Sequence, residues 1–134
     1  MPIQLIKQVK ANQLNQKFVN RIFQQVGKQV RYPKEFLVNV VTVNQAMIKK
    51  LNTIYRQQAA VTDVLSFAYA LNYGDIILCY PQAVVQAQDK QVPVKQEVAW
   101  LIIHGILHLL GFDHQTAVTA KRMRSLEQNI IAYV

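Results

Sequence analysis

All three histidines of this chain fall in one short run: His104-Gly105-Ile106-Leu107-His108-Leu109-Leu110-Gly111-Phe112-Asp113-His114. On a helix, His104 and His108 leave the same face one turn apart, the spacing at which two ring nitrogens can share one zinc ion. A glycine just past a helix can adopt the left-handed conformation that ends it, so Gly111 lets the chain turn back. His114 then reaches the same ion as a third ligand. Three protein ligands leave a fourth tetrahedral position for water, the arrangement of a catalytic rather than a structural zinc. A histidine pair at this spacing is often no more than core or surface packing. The third histidine beyond a glycine turn is what points to metal. The lone cysteine, Cys79, sits in a different element.

The same spacing occurs in the protease pattern H-E-x-x-H-x-x-G-x-x-H, where the glutamate is the general base. Here that position is Gly105. A zinc metallopeptidase is therefore the second reading, behind a hydrolase in which the metal itself makes hydroxide available. Zinc held by three neutral imidazoles brings a bound water to a pKa of about 7. A third reading, from another class, is a non-catalytic module with zinc for structure.

These residues need elements to carry them. Residues 2–9 alternate as a first strand, and apolar positions from Leu14 to Val30 predict a helix over Gln13–Val30. Phe36–Val43 reads as a central strand. Asn44 then caps a helix with Met47, Ile48, Leu51, Ile54 and Tyr55 on one face. Val61–Ala70 and Asp75–Tyr80 read as strands joined by a turn at Asn72-Tyr73-Gly74. Pro81 and Pro93 each open a helix, the second running to Leu110. A last helix from Thr116 or Thr119 buries Met123, Leu126, Ile130 and Val134. The order β-α-β-α-β-β-α-α-α predicts one α+β domain over residues 1–134. Its mixed sheet of about four strands packs against helices, with the metal site at the end of a helix in the C-terminal half.

Composition sets the frame. Fifteen Lys and Arg against seven Asp and Glu give a formal charge of +8 over 134 residues, which favours an anionic partner, with nucleic acid the commonest. A groove lined by lysines and arginines around the histidines is expected. A single cysteine excludes an intrachain disulfide framework and suggests a reducing compartment. No signal-peptide pattern opens the chain, and the longest apolar stretch, 98–112, is interrupted by two histidines and too short to span a bilayer. A cytoplasmic protein without a membrane partner is expected.

Glu97 followed by the His-Gly-x-Leu-His-Leu-Leu-Gly-Phe-Asp-His run resembles the signature of the YbeY family, with Phe112 where that family usually has tyrosine. Further blocks agree in order: Leu51-Asn52, Tyr55-Arg56, Thr62-Asp63-Val64-Leu65-Ser66-Phe67, Gly74-Asp75-Ile76, and Met123 with Leu126-Glu127. Together they cover roughly residues 40 to 131. Departures are Ala59 and Val61, where the family often has an acidic residue and a proline, and Ala68, where a proline is common. Lys121, Arg122 and Arg124 follow in a segment that is usually acidic.

The resemblance implies a bacterial zinc-dependent endoribonuclease acting on single-stranded regions of ribosomal RNA. It implies a place in small-subunit 3′-end maturation and ribosome quality control, and contact with the small subunit or its proteins. It also implies zinc at His104, His108 and His114 and a functional role for Arg56. An arginine suits charge building on phosphoryl oxygens, while a surface arginine at a helix C-terminus is the plainer account. Asp113 either orients a ligand histidine or accepts a proton, or it stabilises the turn. Glu97 reads as structural or as a support behind the ligands. Asp63 and Ser66 suit capping and backbone pairing. Trp100 reads as a packed aromatic or a base-stacking ring.

Overall fold

The computed structural model describes residues 2–134. The elements are β1 (Ile3–Lys7), α1 (Gln16–Gln29), β2 (Leu37–Val43), α2 (Gln45–Arg56), β3 (Val64–Ala70), β4 (Tyr73–Cys79), α3 (Tyr80–Lys90), α4 (Val94–Leu109) and α5 (Ala117–Ile131). This is the predicted order, in an α+β fold. The sheet runs β1-β2-β4-β3, with β1, β2 and β4 parallel and β3 antiparallel to β4. β3 is thus an edge strand.

Strand alternation sends Val38 and Val40 of β2 and Ile76 and Leu78 of β4 to one face. There they meet α1, α4 and α5 through Val19, Ile22, Val26, Ile102, Ile106 and Met123. On the other face α2 packs through Ile48 over Val43, Leu65, Ile77 and Cys79.

Several boundaries differ from expectation, each for a local reason. α1 starts three residues late because the Asn15 side chain accepts the Phe18 N–H and caps it there; Leu14 is buried ahead of the cap. β3 starts at Val64, since Asp63 Oδ1 accepts the Val64 N–H at 2.7 Å and holds Thr62-Asp63 as a loop. Tyr73 and Gly74 belong to β4, so the β3–β4 turn is Leu71-Asn72 alone. Gly74 is needed for closeness: a Cβ there would lie 2.6 Å from the Leu109 side chain and 2.8 Å from the Phe67 carbonyl oxygen. The apolar face predicted for α2 is mostly open. Ile48 is buried, but Met47, Ile54 and Tyr55 are exposed, because α2 lies over only one end of the sheet.

Candidate metal centre

α4 is the helix that presents the histidines, and ten of its sixteen residues are buried. Its C-terminus is a Schellman motif. The Gly111 N–H donates to the His108 carbonyl and the Phe112 N–H to the Leu107 carbonyl, both at 3.0 Å, with Gly111 at φ +93°. The reversal expected of Gly111 is there, and it returns His114 to the face carrying His104 and His108. One ring nitrogen from each of the three lies within 4.8 Å of the others.

The donor set fits a metal ion. The Nε2 atoms of His104 and His108 stand 3.0 Å apart. Zinc–nitrogen bonds of about 2.0–2.1 Å in a tetrahedral site put two nitrogens roughly 3.3 Å apart, so little adjustment is needed. Burial, and then the neighbouring His104 and His114, hold the His108 pKa below its ordinary value. The neutral ring, with a lone pair to offer, is thereby favoured.

His104 has a support that sequence reading missed. Its Nδ1 lies 3.0 Å from Glu127 Oε1, and Glu127 is buried in α5 between Met123 and Ile130. A carboxylate accepting Nδ1–H fixes the ring so that Nε2 carries the lone pair. The other oxygen, Glu127 Oε2, is buried without a partner among the described residues. A cue was present in the sequence. Glu127 lies four residues after Met123 and three before Ile130, on the face expected to be apolar.

The three histidines sit in a cleft of about 560 Å3 whose walls include Arg56, Asp63, Ser66, Trp100 and Leu109. Ser66 Oγ donates to the Gly105 carbonyl at 3.3 Å, tying β3 to α4. Arg56 Nη2 donates to the Ser66 carbonyl at 2.8 Å, and its guanidinium lies 4.8 Å from the Phe67 ring centroid. Arg56 is thus held at the rim, exposed, with most of its five donors still free.

The family model described as Endoribonuclease YbeY matches residues 4–134. The chain belongs to the YbeY family. The Endoribonuclease YbeY of Moorella thermoacetica is 37% identical over 131 residues, 87% of this chain and 84% of that protein. That of Thermodesulfovibrio yellowstonii is 38% identical over 111 residues, 77% and 70% of the two. A solution structure of a protein from Thermotoga maritima superposes with a TM-score of 0.67 at 26% identity, over 97% of this chain and 89% of that one.

Within this YbeY chain, Arg56 and the three histidines share one cleft, and Asp113 lies outside its walls. Asp113 Oδ1 accepts the Gln115 N–H at 3.2 Å in the turn before α5. The Thr119 side chain and that N–H hold its carboxyl below the usual carboxylate range. Glu97 is buried away from the histidines. Lys90 Nζ donates to both its oxygens, at 2.9 and 3.0 Å. Gln86 Nε2 donates to Glu97 at 2.9 Å and to Asp63 at 3.1 Å, joining α3, α4 and the start of β3 behind the cleft. Trp100 forms a wall, 5.5 Å from the His104 ring, with Lys90 Nζ 4.3 Å from its own centroid.

The expected basic groove takes a different form. Among the described residues, Arg56 alone of the lysines and arginines lines the histidine cleft. Others border separate clefts, Arg31 and Lys34 in one, Lys121 and Arg122 in another. The charges are spread because they sit on exposed positions of elements that face in different directions. No helix among the described residues is long and apolar enough to cross a membrane.

Proposed function

We propose that this chain is a zinc-dependent endoribonuclease that cuts single-stranded RNA, with ribosomal RNA, including the small-subunit 3′ end, as its target. The observation that carries this reading is the convergence of His104, His108 and His114 in a cleft that Arg56 also lines. The three histidines would hold the ion, and zinc bound there would supply a Lewis acid that activates water near neutral pH. Glu127 keeps the His104 proton on Nδ1 and its lone pair on Nε2. Arg56 donates to the phosphoryl oxygens as negative charge builds on them, with its guanidinium steadied by the Ser66 carbonyl and Phe67. Asp113 fixes the turn that delivers His114. Residues 1–134 act as one domain, in the cytoplasm, on RNA of the small subunit and in ribosome quality control.

Position 105 weighs against a peptidase. A Cβ on Gly105 would meet the buried Ile76 side chain at 3.0–3.1 Å. The place of the protease glutamate thus faces packed core, with no room for a general base.

Metal analysis and RNA cleavage, with wild type beside His114→Ala, test the proposal. Wild type is expected to hold one zinc per chain and to cut a single-stranded RNA, with chelator abolishing the cutting. His114→Ala is expected to lose both. Stoichiometric zinc with no metal-dependent cleavage would leave the structural-zinc module as the better account.

A further inference from the structure

The sheet face opposite the α4 packing is bare where α2 ends, and that bare part carries aromatic rings. Tyr69 is 60% exposed and Tyr73 42%, with ring centroids 5.4 Å apart. Tyr69 Oη donates to Asp75 Oδ2 at 2.8 Å, and Asn39 Nδ2 donates to Asp75 Oδ1 at 3.0 Å. Phe67 is paired across the sheet with Asp75, so it shares this face with Tyr69. Tyr55, 57% exposed at the end of α2, meets Phe67 at a centroid distance of 5.4 Å, nearly edge-on. Arg56 packs over Phe67 and also lines the histidine cleft. The rings therefore lead along β3, an edge strand of the sheet, to a guanidinium that borders the histidine cleft.

We propose that this strip is a base-stacking platform, on which unpaired nucleotides of the RNA lie while the neighbouring phosphodiester sits in the cleft. Tyr55 and Tyr69 are the stacking rings, and Arg56 marks where the strand passes round the edge of β3. The proposal rests on the RNA reading of the cleft. Rigid aromatic faces recognise any base, because every base has a π-face. The charge pattern selects bases over backbone. Asp75 lies among the tyrosines and repels phosphate, whereas Arg56 at the cleft end attracts it. Continuity with the cleft singles out the substrate strand as the occupant.

The test uses zinc-loaded protein and a labelled single-stranded decadeoxyadenylate, which offers bases without the 2′-hydroxyl, beside an abasic strand of equal length. Tyr55→Ala and Tyr69→Ala are each expected to weaken decadeoxyadenylate binding about tenfold, equally at low and high salt. Tyr69→Phe keeps the ring and is expected to bind within about twofold of wild type. Binding of the abasic strand is expected to be the same in all four proteins. On RNA, the alanine variants are expected to raise KM with kcat and zinc content unchanged. Wild-type binding by the alanine variants, in a preparation where wild type cleaves RNA, overturns the platform, leaves the cleft reading standing, and gives the face to a protein partner. A Tyr69→Phe loss as large as that of alanine also overturns it, since the hydroxyl rather than the ring would be responsible. Wild type that neither binds nor cleaves overturns the RNA reading and the platform together.

Discussion

On one face of the sheet, Ile22, Val40, Ile76, Ile102 and Met123 join α1, α4 and α5 to the strands in a continuous core; on the other, α2 packs through Ile48 over Val43, Leu65, Ile77 and Cys79. The histidines belong to the thickly packed side. α4 is buried along most of its length, so its ring nitrogens are held by a helix that cannot shift without disturbing the core. The thinner side leaves Ile54, Tyr55 and Tyr69 exposed. Precision of placement goes with deep packing, and open aromatic surface goes with its absence.

The largest expected effect breaks or sharpens that contrast directly. Both Ile102 and Ile48 are fully buried. Ile102→Ala is expected to cost about 4 kcal/mol and Ile48→Ala about 2 kcal/mol, because the thinner side can relax into the cavity. Urea denaturation measures both, and equal losses would remove the distinction between the faces. Gly74→Ala comes next, at about 2 kcal/mol, since the new methyl meets the Phe67 backbone, which cannot give, as well as Leu109. Zinc affinity should fall with it, as Leu109 adjoins His108.

Glu127→Ala is expected to weaken zinc binding about 10- to 100-fold, read by competition with a chelator, because His104 loses the partner that orients it. An affinity like that of wild type would mean that α4 alone places the ring.

The smallest effect is on pH dependence. The His108 pKa lies below its ordinary 6.5, so the folded metal-free protein binds fewer protons there than the unfolded chain. Its stability should fall as pH drops below 6.5, through the lowered pKa, and hold steady above 6.5. A thermal melt series should show a shallower acid slope for His108→Asn. Zinc retention should decline in the same direction, as protons compete for the ring.

The order of elements was legible because each has a strong local cause: helical spacing from Leu14 to Val30, β-branched runs in β2, and the caps Asn44 and Thr116. The histidine cluster was legible because i, i+4 spacing and a glycine turn are short-range geometry. Gly74 looked like a turn residue, but its partner in contact is Leu109, 35 positions away, and no local pattern reports that approach. The apolar stripe of α2 promised burial, yet burial depends on how much sheet lies beneath a helix. Glu127 was visible only as an acid on an apolar face, since its meaning depends on α5 packing beside His104.

What the sequence determined by itself, then, is what arises within a few turns of chain: the helices, the strands, and three imidazoles gathered by one helix and one reversal. Their supply of lone pairs follows from residue type. Only the tertiary structure decided which carboxylate stands behind His104, that Gly105 backs onto Ile76, and that, among the described residues, Arg56 is the one lysine or arginine lining the cleft. These depend on contacts between residues far apart in sequence, which exist only once the sheet and helices have packed.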